Sequence, residues 1–154
     1  MRKILTCFIL FLLSIDLWAY DIEADNLLYR INSDSISLTL TSRSYLSKES
    51  DIVIPSEIEY NGKTYIVTAI GNYAFEEHNI KSIVIPGGIT TFGKEIFYYC
   101  SDLKKVVFLE GLTEIPDRIF SGCSSLDSIN IPESVTKIGS YSFSYCSKLS
   151  NIKL

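Results

Sequence analysis

Apolar residues recur every 23 positions through the C-terminal half of the chain. Seven columns keep this step without a slip, and they start at Ile83, Ile85, Ile89, Phe92, Phe97, Cys100 and Leu103. The first column continues through Val106, Ile129 and Ile152. One repeat unit cannot bury its apolar side chains alone, so neighbouring units must bury them by stacking. The pattern therefore predicts a solenoid of repeated coils.

The spacing within one repeat indicates a short strand, a bend and a short helical turn. Residues 128–132 alternate between polar and apolar and stop at Pro132, which cannot donate to a sheet ladder. Phe143, Cys146 and Leu149 then follow at steps of three, which favours one or two turns of α-helix or 3₁₀-helix. We therefore expect a β-rich α/β solenoid of short parallel strands, with repeats at 52–82, 83–105, 106–128 and 129–151 and a partial repeat at 152–154.

The segment upstream of the regular repeats predicts an N-terminal β cap. Asn61-Gly62 is the strongest short signal for a hairpin, and the residues on either side of it have strand-like patterns. Residues 27–31 and 35–40 are predicted as two further strands. A repeat stack needs an atypical first unit to cover its open end, so we expect a cap with a β-hairpin over residues 20–65.

The segment from Met1 to Ala19 has the layout of a secretory signal peptide. Arg2 and Lys3 form a positive head, residues 4–13 are apolar except for Thr6, and Ala19 is a small residue suited to cleavage. A membrane anchor is the alternative, but this apolar stretch has about half of the roughly 20 residues needed to span a bilayer. We therefore predict export, cleavage after Ala19, no membrane span in the mature protein, and a secreted or cell-surface location.

Composition narrows the classes of function. A chain of 154 residues with 47% hydrophobic residues is too apolar for a disordered protein, and its net charge of -4 argues against a nucleic-acid binder. His78 is the only histidine in the sequence. A zinc site built on several histidines is therefore excluded, and the sequence offers almost no material for a catalytic triad with a histidine base. We accordingly assign no catalytic, metal-binding or cofactor-binding residues and do not expect an enzyme. His78 aligns with the cysteine column, which favours a packing role.

Three cysteines occupy one column of the repeat. Cys100, Cys123 and Cys146 are each one repeat apart, and stacked coils would place their neighbouring Cα atoms about 4.8 Å apart, within the range of a disulfide. However, parallel side chains on adjacent coils point the same way, and each cysteine lies between a phenylalanine and a leucine. Buried thiols that act as small hydrophobic groups are therefore favoured, and one strained disulfide is the alternative.

Two surfaces are candidates for binding a partner. The outward face of the predicted strands carries small side chains of mixed chemistry. The tyrosines beside the phenylalanine column offer large apolar faces with a hydroxyl, which favours recognition, although partial packing over the helical side explains them equally well. The candidate residues are Lys105, Val107, Ser128 and Asn130 on the strand face, and Tyr73, Tyr98, Tyr99, Tyr141 and Tyr145 among the tyrosines.

The repeat carries a family resemblance. Residues 131–139, followed by Phe143, Cys146 and Leu149, resemble the BspA-like, 23-residue type of leucine-rich repeat. Residues 61–65, which run into 69–75, are similar to the opening module that precedes such repeats in exported bacterial proteins. The resemblance implies a right-handed leucine-rich-repeat solenoid and a secreted or surface location, and it implies no catalytic residues.

The resemblance also implies a role in adhesion or protein recognition. The expected partner is an extracellular or host-surface protein, or a glycan, and neither a nucleic acid nor a membrane. A second hypothesis treats the chain as a structural element. The apolar edge at 152–154 is open to pairing, so the chain could instead assemble with itself through this C-terminal edge.

Overall fold

The computed structural model of this protein describes residues 20–43, 50–109 and 111–153. The predicted signal peptide lies outside these residues. The described part consists of short strands joined by turns, and it contains no helix that could span a membrane. Its strands are β1 (Ile22–Ala24), β2 (Leu27–Ile31), β3 (Ser37–Arg43), β4 (Asp51–Val53), β5 (Glu57–Tyr60), β6 (Lys63–Ile70), β7 (Ser82–Ile85), β8 (Thr91–Phe92), β9 (Lys105–Phe108), β10 (Glu114–Ile115), β11 (Ser128–Asn130), β12 (Lys137–Ile138) and β13 (Asn151–Lys153).

The repeats form a parallel sheet in the order β13-β11-β9-β7-β4. Ser82 pairs with Lys105, and Lys105 pairs with Ser128, so each step between these strands equals one repeat of the sequence. The step from β4 to β7 is longer, because Asp51 pairs with Ser82. The solenoid of stacked coils expected from the apolar columns is therefore present, with one strand of this sheet from each coil.

The N-terminal strands form a second sheet in the order β1-β2-β3-β6-β5. Strands β5 and β6 are antiparallel and are joined at Asn61 and Gly62, whose φ values of 51° and 75° suit a two-residue hairpin turn. Strand β8 of the next coil pairs in parallel with β6. The cap sheet therefore extends to the first short strand of the second row, whereas β10 and β12 of that row form a separate two-stranded sheet.

The segments predicted as short helical turns form a succession of hydrogen-bonded turns instead. The Cys123 N–H donates to the Phe120 carbonyl at 3.1 Å, as it would in a 3₁₀-helix. However, Arg118 and Gly122 have φ values of 53° and 84°, and left-handed residues cannot continue a right-handed helix. The prediction of helical turns is thus wrong for the described residues. Steps of three between apolar residues fit repeated turns as well as they fit a helix.

Stacked phenylalanine rings fill the centre of the solenoid. Phe75, Phe97 and Phe120 are completely buried, and Phe143 extends the stack on the last coil. Successive ring centroids are 5.3, 5.4 and 5.7 Å apart, and adjacent rings are within 14° of parallel. Burial of one such side chain contributes about 1.5 to 3 kcal/mol, so the repeated ring is a main source of stability in each coil.

The cysteine column consists of free thiols, as the sequence favoured, and not of disulfides. The Cys123 thiol donates to the Phe97 carbonyl of the preceding coil at 3.2 Å, and the same carbonyl accepts the backbone N–H of Cys100. The Cys100 thiol repeats the pattern, because it donates at 2.8 Å to the Phe75 carbonyl, which also accepts the backbone N–H of His78. Each thiol therefore links its own coil to the backbone of the preceding coil, and His78 occupies the same column at the first coil.

Candidate functional site

The predicted strand-face residues lie together on the outward side of the parallel sheet. Lys105 pairs with Ser128 and Val107 pairs with Asn130, so the four side chains form a small square on two adjacent strands. Lys105, Ser128 and Asn130 are exposed, whereas Val107 is half-buried. This patch combines one charge with two small polar side chains and one aliphatic side chain.

The predicted tyrosines lie elsewhere, on the turns that follow the second row of short strands. Tyr73 and Tyr141 belong to one column of the repeat, and Tyr99 and Tyr145 belong to the next column. Tyr98 is half-buried beside Tyr99, with the two ring centroids 4.5 Å apart in an edge-to-face arrangement. The structure therefore separates the sequence-predicted surface into a strand patch and a tyrosine surface.

The first tyrosine column forms a continuous ladder of side chains across four coils. Its members are Tyr73, Glu95, Arg118 and Tyr141, one from each coil. The Tyr73 hydroxyl donates to the Glu95 carboxylate, and this raises the pKa of the tyrosine. Glu95 then forms an ion pair of 3.2 Å with Arg118, whose guanidinium carbon lies 5.6 Å from the ring centroid of Tyr141. Every side chain in the ladder thus contacts a side chain on a neighbouring coil.

Each residue of this ladder has a left-handed backbone. The φ values are 57° at Tyr73, 52° at Glu95, 53° at Arg118 and 57° at Tyr141. Non-glycine residues seldom adopt this conformation, because Cβ then approaches the backbone at a cost of about 1 to 2 kcal/mol. The left-handed conformation recurs on four successive coils and places two tyrosines, one glutamate and one arginine side by side in a row.

The ladder forms one wall of an open groove that crosses the coils. The groove has a volume of about 690 Å³. Its aromatic and polar lining comprises Tyr73, Phe92, Lys94, Glu95, Glu114, Asp117, Arg118, Lys137, Ser140 and Tyr141, and the remaining lining residues are Gly93, Ile115, Pro116 and Gly139. A second ion pair of 3.1 Å joins Glu114 to Lys137 on adjacent coils. The groove therefore presents aromatic rings and paired charges to solvent.

The backbones of successive coils are in close contact along the groove. A Cβ atom added to Gly139 would lie 2.5 Å from the backbone nitrogen of Asp117, which no side chain can tolerate. The Asp117 carboxylate also accepts the backbone N–H of Ser140 at 2.7 Å. The turns of successive coils are thus packed tightly against each other along the groove.

The second tyrosine column lies beside the groove. Tyr99 and Tyr145 have φ values of 53° and 60°, and Gly122 lies between them. A Cβ atom at Gly122 would be 3.0 Å from the Tyr99 ring, so glycine makes room for that ring. Burial, followed by the neighbouring Tyr99, raises the pKa of Tyr98. Half of the Tyr99 surface and 79% of the Tyr145 surface remain exposed, so packing alone does not account for these two side chains.

Sequence reasoning missed the charged members of the groove. Glu95 and Arg118, like Glu114 and Lys137, are one repeat apart with opposite charge, so the spacing places them on adjacent rungs. That signal supports the register of the coils and also marks a surface. Alignment of the tyrosines with the same columns would have placed Tyr141 beside Arg118. Among the described residues, no cluster of three potential ligands for a metal ion is present.

Comparison with known proteins assigns the repeat to a family. The model of the BspA type leucine rich repeat region matches residues 68–154, which is more than half of the chain. The chain belongs to the BspA-type leucine-rich repeat family. No curated protein matches it at a significant level.

Solved structures of bacterial leucine-rich repeat proteins are similar to this family member. A leucine-rich repeat protein from Bacteroides capillosus is 31% identical, with a TM-score of 0.76, over 86% of this chain and 96% of that protein. A leucine rich cell surface protein from Faecalibacterium prausnitzii is 25% identical, with a TM-score of 0.65, over 86% of this chain and 42% of that protein. The pneumococcal vaccine antigen PcpA shares the fold at 24% identity, with a TM-score of 0.66, over 86% of this chain and 37% of the antigen.

Proposed function

We propose that this protein is a secreted or cell-surface module that recognises an extracellular or host-surface protein and serves adhesion, without catalysis. The family assignment supports a role in interaction, because repeat stacks provide extended surfaces for partners. The similarity to a bacterial cell surface protein supports the location. The signal-peptide pattern of residues 1–19 supports export.

The ladder beside the groove is the observation that carries this proposal. Tyrosine and arginine are enriched in the energetic centres of protein interfaces, where they combine apolar area with directed hydrogen bonds. Tyr73 is 46% exposed and Tyr141 is 68% exposed, although both lie next to the buried turns of the coils. These rings and the intervening Arg118 form the part of the described surface best suited to bind a partner.

Binding is tested with purified protein against a panel of extracellular-matrix and host-surface proteins, measured by surface plasmon resonance. We expect at least one saturable interaction, and we expect Tyr73→Ala combined with Tyr141→Ala to weaken it at least tenfold. A matched variant, Lys105→Ala combined with Asn130→Ala, changes the strand patch instead. Binding that is weakened by the strand-patch variant and unchanged by the tyrosine variant would place recognition on the strand patch and contradict the assignment to the ladder.

Export is tested separately by expression of the complete chain in a bacterial host. We expect the mature protein outside the cytoplasm with an N-terminus at Tyr20, as determined by mass spectrometry. A protein that stays in the cytoplasm with Met1 intact would contradict the proposed location. The absence of catalysis is tested with glycan and peptide substrates, and turnover that persists after purification would contradict it.

Self-association is a second candidate function, favoured by the apolar side chains of the last coil. Ile138 and Ile152 are each 47% exposed, whereas Ile115 and Ile129, each one repeat earlier in the sequence, are 1% and 3% exposed. A second copy that covers these groups would bury apolar surface and pair with β13. Multi-angle light scattering distinguishes the candidates, because a monomer at high concentration contradicts assembly. Ile138→Lys should dissociate any dimer that forms through this end.

A further inference from the structure

We infer that the groove beside the ladder binds a neutral glycan chain, so that the protein partner is recognised as a glycoprotein. This inference rests on the proposed function, because it names the chemical group that the same groove contacts. The charge balance, the hydrogen-bonding groups and the aromatic rings of the groove support it independently.

The charges of the lining favour an uncharged ligand. The groove has three cationic side chains and three anionic ones, namely Lys94, Arg118 and Lys137 with Glu95, Glu114 and Asp117. Arg118 is already paired with Glu95 at 3.2 Å, and Lys137 is paired with Glu114 at 3.1 Å. A sulfated or sialylated chain would have to approach these carboxylates or separate the pairs. A neutral chain meets neither penalty.

The paired side chains can still form hydrogen bonds with hydroxyl groups. The side chains of Arg118, Glu114 and Lys137 are 56%, 55% and 70% exposed, so donors and acceptors beyond the ion pairs face solvent. Carboxylate oxygens only accept, and guanidinium and ammonium groups only donate, whereas a sugar hydroxyl can do both. A polyhydroxyl ligand therefore matches alternating charges better than a ligand with a single type of polar group.

The apolar groups of the lining are mainly rings. Tyr73 and Tyr141 present exposed faces, and Phe92 and Pro116 are half-buried beside them. The aliphatic side chain of Ile115 is only 1% exposed, so the lining gives the aliphatic side chains of a peptide little to contact. The C–H face of a sugar ring stacks on an aromatic ring and leaves its hydroxyls free at the edges. This chemistry favours a glycan over a bare peptide.

The groove is also preorganised for an extended chain. Hydrogen bonds between coils fix its turns, as between Asp117 and Ser140 at 2.7 Å and between the Asn72 side chain and the Lys94 N–H at 2.8 Å. The ladder places one side chain per coil, at intervals of about 4.8 Å along the stack. A chain of similar units can therefore make related contacts at successive coils with little loss of protein conformational entropy.

The test uses the purified protein on an array of neutral mannose- and galactose-containing oligosaccharides, with sulfated and sialylated counterparts. We expect the neutral members to bind, and we expect Tyr141→Ala to weaken binding at least tenfold. Tyr141→Phe keeps the ring and should remain within about twofold of the parent. Tyr20→Ala removes a tyrosine that is 40% exposed on the cap and should have no effect. Circular dichroism and urea unfolding verify that each variant is folded.

A second arm separates failure of this inference from failure of the proposed function. The protein partner found in the binding panel is measured again after enzymatic removal of its glycans. Loss of binding supports the inference, whereas an unchanged Kd overturns it and leaves protein recognition intact. Tighter binding to the sulfated or sialylated oligosaccharides also overturns it. Absence of binding to every oligosaccharide and every protein overturns both proposals.

Discussion

The carboxylate of Glu95 lies 3.2 Å from the guanidinium of Arg118 on the next coil, and the left-handed backbone of both residues aims the two side chains along the same line. The carboxylate also accepts the Tyr73 hydroxyl, and the guanidinium lies against the Tyr141 ring. This ion pair is therefore the centre of an ordered surface, and it is more constrained than an isolated pair between exposed side chains.

The strength of this ion pair is measurable by a double-mutant cycle. Glu95→Gln and Arg118→Gln should show a coupling of about 0.3 to 1 kcal/mol in the free energy of unfolding, because Arg118 is more than half exposed. The coupling should fall as salt is raised. The pair of Glu114 and Lys137 serves as the control, since its carboxylate is 55% exposed and that of Glu95 is 18% exposed. Equal coupling in both pairs would argue against special ordering of the ladder.

Gly122→Ala should destabilise the stack. Gly122 has a φ of 84°, and a Cβ atom there would lie 3.0 to 3.1 Å from Tyr99. We expect a loss of about 1 to 3 kcal/mol in the free energy of unfolding, measured by urea denaturation. Gly88→Ala is the matched control, because its Cβ would meet nothing closer than 3.8 Å, and it should change stability by less than about 0.5 kcal/mol. Similar losses at both sites would refute the proposed role of Gly122.

The three thiols should resist modification in the folded protein. Cys100 and Cys123 are fully buried and Cys146 is half-buried. Burial raises the pKa of Cys100 to about 12 and that of Cys146 to about 11, so the reactive thiolate is scarce at neutral pH. Maleimide labelling followed by mass spectrometry should modify Cys146 first and the other two only after unfolding. Rapid native labelling of Cys123 would contradict this packing.

Alkaline pH should weaken the fold through the same thiols. A cysteine has an ordinary pKa of 9.0, and a folded pKa above that value means that the folded state holds its proton longer than the unfolded state. The contribution to stability is therefore complete below pH 9 and is lost between about pH 9 and pH 12. Urea unfolding at several pH values measures this slope. Cys100→Ser, which has no thiol to ionise, should reduce the slope above pH 9, and an unchanged slope would assign the effect to other groups.

Tyr29→Phe should be neutral or stabilising. The Tyr29 side chain is completely buried in the cap, and its hydroxyl has no hydrogen-bond partner. Burial, followed by the charge of Asp25, raises the pKa of this hydroxyl. Removal of an unsatisfied buried polar group should leave the free energy of unfolding unchanged or increase it by about 1 kcal/mol. A loss above about 1 kcal/mol in urea denaturation would reveal a polar contact at this hydroxyl.

The register of the repeats was predictable because it depends only on the length of the repeat. A constant repeat length brings Val106 beside Ile129 in a stack, whatever the local conformation between them. The free state of the cysteines was less determined, because Cα spacing alone permits a disulfide. The thiols are free because each one donates a hydrogen bond to a backbone carbonyl of the preceding coil. These hydrogen bonds have no signal in the sequence.

The turns and the groove were harder to predict. Phe143, Cys146 and Leu149 follow at steps of three both in a 3₁₀-helix and in successive turns, so the spacing cannot distinguish them. The decisive left-handed conformation falls on glutamate, arginine and tyrosine, which have little preference for it. At Gly139, the absence of a side chain allows the backbone to approach the neighbouring turn closely beside the groove. Such contacts become visible only when the coils are placed side by side.

The ladder has a consequence for how such proteins change over time. Each coil supplies one side chain to it, and the hydrogen bonds to adjacent coils are made mainly by backbone atoms that any sequence provides. Duplication of one repeat unit would therefore add a single new position to the ladder. A subsequent change at that position would alter one contact at a time. The surface along the ladder can thus change first in length, through the number of repeats, and then in chemistry, through substitutions at single positions.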